Sequence, residues 1–184
     1  LKVTDTTSLS DATTLNTYTT GQVTLDSVKD TFVNLIEIDT FNTLDVSMAD
    51  ATIHVVDEVN LLKINELRAD TSGNITVDFL TDEKSNLAEI NAFEIQNGLD
   101  GNPINGDVIL SNTQIKVTDD VNKSEADVIN GYNDVSGTVT LTSVTDLLAN
   151  VNALSTTDGI SIATSDLKVT DTTSLSDATT LNTY

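Results

Sequence analysis

The sequence contains no cysteine, no tryptophan and a single proline, and it has only eight basic residues against 29 acidic ones. Without cysteine, neither a disulfide framework nor a zinc site held by thiolates is available. The formal net charge is -21 and the basic residues are scattered singly. Nucleic acid is therefore not an expected partner, because phosphate backbones bind clustered Lys and Arg. No apolar run approaches the roughly 20 residues that cross a bilayer, so we expect no membrane span.

The two ends of the chain carry the same eighteen residues. Residues 1–18 and residues 167–184 both read LKVTDTTSLSDATTLNTY. We interpret residues 1–166 as one long-period repeat and residues 167–184 as the start of the next copy, in a window of a longer array. Deliberate duplication of the ends is the alternative explanation.

A shorter pattern recurs three times inside the long period. Each occurrence opens with an aliphatic residue followed two residues later by Val and four residues later by Asp, starting at Leu1, Ile53 and Ile115. A Gly before an alternating apolar run follows, then an Asp, and four residues later an Asn. These positions are Gly21, Gly73 and Gly137, Asp30, Asp82 and Asp146, and Asn34, Asn86 and Asn150. We therefore predict sub-repeats 1–52, 53–114 and 115–166.

The spacing of apolar residues changes along each sub-repeat. Alternation in the openings, with Leu1 and Val3 on one side and Lys2 on the other, predicts a half-buried strand. Apolar residues three or four apart in the next segment predict a helix, and the order strand, helix, strand, helix, strand follows. Short connections between such strands imply a mainly parallel sheet with crossover helices. The predicted fold class is α/β, a repeat solenoid of these sub-repeats.

Two features of this fold stay open at the level of sequence. An all-β solenoid is the alternative, because Thr is abundant and segments such as that around Thr13 and Thr14 have poor helix propensity. Helices are wider than the spacing between strands, so either the sheet curves or helices cover both of its faces.

Several recurring residues are assigned to helix ends and helix faces. Gly21 and Gly73 are expected to adopt the left-handed conformation after a helix. The recurring aspartates are interpreted as N-terminal helix caps rather than cation ligands, because each precedes a helical pattern. They are Asp5, Asp57, Asp119, Asp30, Asp82 and Asp146. The predicted apolar faces of the second helices are Phe32, Leu35 and Ile36, Leu87, Ile90 and Phe93, and Leu147, Val151 and Leu154.

No arrangement of residues indicates an enzyme. His54 is the only histidine, and the period of two places it on the polar side of a strand, where we expect an exposed side chain. Phosphate loops, dinucleotide-binding glycine motifs and zinc-protease motifs are missing from the sequence. We therefore predict that the chain is not an enzyme and has no catalytic residues.

The best candidate for a ligand site is the octapeptide at positions 100–107, with sequence DGNPINGD. Calcium prefers several oxygen ligands brought together by a tight loop, and Asp100, Asn102, Asn105 and Asp107 supply carboxylate and amide oxygens between glycines that allow sharp turns. We name these four residues as a candidate calcium site. An irregular loop of turn-forming residues is the alternative.

The Val3-Thr4-Asp5-Thr6 opening, the segment TTGQVTL at positions 19–25 and the later Asp30, Asn34 and Leu35 resemble the Thr/Asp-rich tandem repeats of very large bacterial secreted or cell-surface proteins, including cyanobacterial ones. The resemblance covers nearly the whole chain. It implies an extracellular structural or adhesive role, commonly with calcium.

These observations favour a non-catalytic structural repeat of an extracellular bacterial surface filament, sheath or long adhesin stalk. Its expected partner is the chain itself, through neighbouring repeats or subunits that stack end to end, because a perfectly repeated period suits a unit that spans distance. A calcium-dependent adhesin or glycan-binding module is the alternative. Aromatic platforms for surface glycan are scarce, with three Tyr and four Phe.

Overall fold

The computed structural model describes residues 1–40, 45–96, 107–133 and 136–184. Contacts between Cα atoms divide the chain into two compact units. The first contains Leu1–Phe79 and Ile90–Ile109, and the second contains Leu80–Glu89 and Leu110–Tyr184.

Strands and helices alternate along the chain in the predicted order. The strands are β1 (Lys2–Thr7), β2 (Val23–Asp30), β3 (Val46–Ser47), β4 (Thr52–Val59), β5 (Ile75–Asp82), β6 (Val108–Ile109), β7 (Gln114–Val121), β8 (Val139–Asp146), β9 (Ile160–Ser161) and β10 (Asp166–Val169). The helices are α1 (Leu9–Asn16), α2 (Phe32–Thr40), α3 (Leu61–Asp70), α4 (Lys84–Gln96), α5 (Lys123–Asn130), α6 (Leu148–Leu154) and α7 (Leu175–Leu181). The α/β fold class is confirmed, and the all-β alternative is wrong.

In the first unit the strand order is β1-β2-β4-β5. Strand β2 pairs in parallel with β1 on one edge and with both β3 and β4 on the other. The short β3 lies beside the beginning of β2, where Val23 pairs with Val46, and β4 continues along the same edge, where Ser27 pairs with Thr52. The third strand of one sub-repeat and the opening strand of the next therefore share one edge.

In the second unit β8 lies between β7 and β10. It pairs in parallel with β7, with β9 at its beginning and with β10 at its end. Parallel pairing throughout these strands confirms the prediction made from the short connections.

In each unit, helices cover one face of the strands. In the first unit α1 contacts α2 and α2 contacts α3, and in the second unit α5 contacts α6, so consecutive helices form a layer. Three apolar residues in the central strand of each sub-repeat lie under this layer and are at most 3% exposed. They are Val23, Leu25 and Val28, Ile75, Val77 and Leu80, and Val139, Leu141 and Val144. The opposite face of these strands carries half-buried polar side chains such as Thr24 and Thr140.

Local side chains explain why weak helix formers still make helices. Ser8, Asn60, Asn122 and Ser174 cap α1, α3, α5 and α7 by accepting a hydrogen bond from a backbone N–H in the first turn. In α1 the hydroxyl of Thr13 donates to the carbonyl oxygen of Leu9 at 2.8 Å, so a residue with low helix propensity satisfies its polar group without leaving the helix.

The recurring glycines do not adopt the left-handed conformation predicted for helix ends. Among the glycines of the described residues, positive φ occurs at Gly159. An added Cβ at Gly73 would lie 2.2 Å from the carbonyl oxygen of Ala51, and one at Gly137 would lie 1.9 Å from that of Thr113. At these two positions glycine is needed because the neighbouring backbone approaches closely.

One residue on a predicted helix face lies outside the core. Leu147 is the N-cap of α6 in extended conformation and is 48% exposed, whereas Val151 and Leu154 are fully buried. The side-chain packing of Phe93 lies outside the described part of the structure.

Candidate functional site

Aspartates at the ends of the central strands hold two helices at once. Asp146 is the last residue of β8, and its Oδ1 accepts hydrogen bonds from the N–H of Leu147 at 2.7 Å and from Asn150 Nδ2 at 2.8 Å. Its Oδ2 accepts the N–H of Lys123, the first residue of α5, at 2.8 Å. The carboxylate therefore fixes the start of α6, which follows it in the chain, and the start of α5, which contacts β8.

The same geometry occurs at the end of β2. Asp30 Oδ1 accepts from the N–H of Thr31 at 2.9 Å and from Asn34 Nδ2 at 2.7 Å, and Oδ2 accepts from the N–H of Leu9 at 2.9 Å. Asp82 likewise accepts from Asn86 Nδ2 at 2.7 Å. The recurring Asp and Asn are therefore one structural motif, and the Asp precedes the N-cap position instead of occupying it.

Aspartates of the opening strands bind the second helices. Asp57 accepts the N–H of Phe32, the first residue of α2, at 2.6 Å. Asp119 accepts that of Lys84, the first residue of α4, at 2.8 Å. The prediction that these aspartates cap the helix after them is wrong, because Asn60 and Asn122 perform that role. Each carboxylate binds a helix that lies earlier in the chain, 25 and 35 residues away.

The electrostatics of Asp146 follow from these contacts. Burial works against its ionisation, but the hydrogen bonds from Lys123, Asn150 and Leu147 outweigh burial and lower its pKa below the ordinary 3.8. A carboxylate at the positive end of a helix dipole also stabilises the helix. Asp146 therefore acts as an anionic link between β8 and the starts of α5 and α6.

A second polar cluster in the second unit joins α4 to α5. Lys84 Nζ lies 3.0 Å from Glu125 Oε1 and donates to the carbonyl oxygen of Asp120 at 3.0 Å. The hydrogen bond with Glu125 raises the pKa of Lys84. The backbone N–H of Asn122, followed by Lys84, lowers the pKa of Glu125. The Ser143 hydroxyl, 2.7 Å away, lowers the pKa of Asp120. These donors and acceptors satisfy one another, so the cluster is a structural bridge.

His54 is not freely exposed as predicted. Its Nε2 lies 2.7 Å from Asp78 Oδ1, and its side chain is 32% exposed. The pair joins the polar faces of β4 and β5, and it parallels the pair of Lys2 and Asp26, 3.1 Å apart, on β1 and β2. The single histidine is therefore part of a cross-strand contact.

Most of the candidate calcium site lies outside the described residues, namely Asp100, Asn102 and Asn105. Asp107 is described: it precedes β6, and its carbonyl oxygen accepts the N–H of Ile75 at 2.7 Å. In the described ranges no group of three or more Asp, Glu, His or Cys residues is arranged to hold a metal ion. The calcium site stays a prediction.

The two copies of the eighteen-residue segment are bound on opposite sides. Residues 1–18 lie against β2 and α2. In this position Thr7 is only 5% exposed and Ala12 is fully buried. The corresponding Thr173 and Ala178 in the second copy are exposed. Each copy thus shows the packing of one side of the same sequence.

The second copy is bound through its other side, to β8 and α6. Strand β10 pairs with β8, and Asp171 Oδ1 accepts the N–H of Leu148, the first residue of α6, at 2.8 Å. The hydroxyl of Tyr184 donates to Asn152 Oδ1 at 2.9 Å. Its counterpart in the first copy, Tyr18, is 80% exposed.

The register where the second copy begins repeats the register where the second sub-repeat begins. Ser143 and Val144 of β8 pair with Asp166 and Leu167, as Ser27 and Val28 of β2 pair with Thr52 and Ile53. The short strand before the joint also matches, with Val139 paired to Ile160 as Val23 is paired to Val46. The sequence pattern located the boundary between the two copies at residues 166–167. It did not show the contacts made there, because they link residues more than twenty positions apart.

A search for known relatives gives no family assignment. No protein-family model, curated protein or solved structure matches the chain. No helix among the described residues is both long and apolar enough to cross a membrane.

Proposed function

We propose that the chain is a non-catalytic structural repeat of an extracellular bacterial surface filament, sheath or adhesin stalk. Successive repeats extend one parallel sheet with its layer of helices. The observation that carries this proposal is the joint at residues 166–167. There the second copy adds to β8 in the register by which β4 adds to β2.

Repeated use of one joint favours a role in spanning distance. Each added unit presents the same edge and the same strand-end carboxylate to the next unit, so the solenoid can grow without new interfaces. The Asp motif supports a structural role for the recurring carboxylates, since backbone N–H groups and Asn amides occupy Asp30 and Asp146.

The extracellular location rests on the resemblance to secreted and cell-surface tandem repeats. Antibodies raised against residues 1–184 provide the test, by immunogold labelling of intact cells of the producing organism. Labels spaced along surface fibres are the expected result, with pre-immune serum as the matched control. Labelling confined to the cell interior would refute the proposal.

A further inference from the structure

We infer that the groove between α4 and α5 binds an apolar ridge on α2 and α3 of a second copy of this chain. The ridge consists of Val33 on α2 and Leu62 on α3, which are 56% and 75% exposed. The partner is thus another molecule of the same protein, held through its helices. The inference goes beyond the proposed function, because this contact is separate from the sheet joint at residues 166–167.

The groove is a mainly apolar concave surface of the second unit, with a volume of about 390 Å³. Lys84 and Glu125, which line it, form an ion pair at 3.0 Å, so these two charges compensate each other. Pockets of this size with apolar walls bind apolar groups. The remaining lining residues are Ser85 and Ala88 on α4, Ser124, Val128 and Ile129 on α5, and Tyr132.

Small residues leave this space where the equivalent helices carry aliphatic ones. The recurring Asp and Asn motif aligns α2 with α4, and the N-cap asparagines align α3 with α5. The starts of the helices meet in both pairs, because Lys63 Nζ lies 5.1 Å from the centre of the Phe32 ring at the positions where Lys84 pairs with Glu125. The residues Ser85, Ala88 and Ser124 therefore correspond to Val33, Ile36 and Leu62.

The charges beside the two surfaces favour this pairing on so acidic a chain. Helix α3 contains Lys63 and Arg68, two of the chain's eight basic residues. The exposed acidic residues Glu89 and Asp127 are next in sequence to residues that line the groove. Opposite charges around an apolar contact steer association and disfavour other pairings.

The contact is small, so two isolated chains should bind each other weakly. Two side chains bury far less than the roughly 800 Å² per partner of a standard interface, and we expect a dissociation constant on the order of 0.1–1 mM. The net charge of -21 repels a second copy, and salt screens this repulsion. In an array of many repeats the same contact recurs, and multivalency strengthens it.

The ridge and the groove are different surfaces, so the contact is heterologous. A chain with both can bind one neighbour through its ridge and another through its groove. Association then continues beyond a dimer unless the rotation between neighbours closes a ring.

Sedimentation equilibrium of the full chain tests this pairing, at about 0.1–1 mM protein and in about 0.5 M salt. The parent chain should form species larger than a dimer. Leu62→Ser gives the ridge the residue found at the equivalent position of the groove, and Ser124→Leu makes the reverse change. Each variant alone should weaken self-association by at least about tenfold. Both positions are exposed, so both variants should fold, which circular dichroism verifies.

A mixture of the two variants distinguishes this pairing from any other. Leu62→Ser keeps an intact groove and Ser124→Leu keeps an intact ridge, so an equimolar mixture should form a one-to-one dimer and nothing larger. Phe79→Ser is the matched control. Phe79 is 48% exposed on β5, and serine occupies its equivalent positions 27 and 143. This variant should associate like the parent chain.

A mixture that stays monomeric would overturn the inference, as would unchanged association of Ser124→Leu, which would indicate contact between two ridges. An equal loss in Phe79→Ser would show general apolar adhesion and overturn it as well. A parent chain that stays monomeric would refute this contact and leave the proposed function standing, because that function depends on the sheet joint.

Discussion

Replacing Asp146 with Asn removes one hydrogen-bond acceptor from the joint between α5 and α6. The amide oxygen can keep the bonds from Leu147 and Asn150 only if the amide nitrogen faces the N–H of Lys123, which places donor against donor. The reverse orientation restores the Lys123 bond and loses the other two. Asp146→Asn therefore leaves at least one helix N-terminal donor without its acceptor.

The expected cost follows from this geometry. Leaving a hydrogen-bond donor unsatisfied costs about 1–3 kcal/mol. Removing a negative charge from a helix N-terminus adds about 0.3–1 kcal/mol. We expect the free energy of unfolding to fall by about 2–3 kcal/mol. In urea this lowers the unfolding midpoint by about 1 M, given a slope of about 2–3 kcal/mol per molar for a chain of this size.

The effect should depend on pH with a defined sign. The pKa of Asp146 is lowered from 3.8 in the folded state. Its stabilisation is therefore complete above pH 3.8, where the carboxyl group is ionised in both states, and is lost as pH falls through the folded-state pKa. The stability difference between the parent chain and Asp146→Asn should be largest near neutral pH and shrink under acidic conditions.

Urea unfolding followed by circular dichroism measures this difference across the pH range. Asp5→Asn is the matched control, because Asp5 lies at a recurring position but its carboxylate accepts no hydrogen bond from the described residues. Its stability should change by less than about 0.5 kcal/mol. Equal losses in both variants, or a loss at Asp146 that does not vary with pH, would refute the role of the carboxylate as an anionic joint.

Three further predictions concern two glycines, Glu125 and the candidate calcium site. Gly137→Ala forces a Cβ against a carbonyl oxygen 1.9 Å away and should cost about 2 kcal/mol or more in urea unfolding, whereas Gly21→Ala meets no atom closer than 3.9 Å and should be neutral or slightly stabilising. Glu125→Ala removes the acceptor for the N–H of Asn122 and for Lys84, and a loss of about 1 kcal/mol is expected in the same assay; an unchanged midpoint would contradict the bridge between α4 and α5. Calcium should raise the melting temperature of the parent chain but not of the double variant Asp100→Asn and Asp107→Asn, and no calcium-dependent shift in the parent would refute that site.

Much of the fold could be predicted because a buried face of a strand or helix requires apolar residues at a regular spacing in the sequence. The alternation at Ile53 and Val55 and the helical spacing of Ile64 and Leu67 each reflect one buried face, and all four residues are fully buried. The candidate site was less predictable. The sequence marked Asp30 and Asp146 as recurring residues near helix starts, but a residue pattern does not show which distant N–H group a carboxylate will accept.

The sequence by itself determined the element order, the parallel pairing and the alternating apolar residues at the start of each central strand, since these depend on side-chain periodicity and on connection length. Only the tertiary structure decided that Asp57 and Asp119 bind the preceding helices, and that Gly73 and Gly137 serve close backbone contact instead of a left-handed turn. The same holds for the second eighteen-residue copy, which has the same sequence as the first and yet packs through its opposite side. Identical residues acquire different contacts because contacts depend on which neighbours the fold brings near, and those neighbours lie twenty or more residues away in the chain.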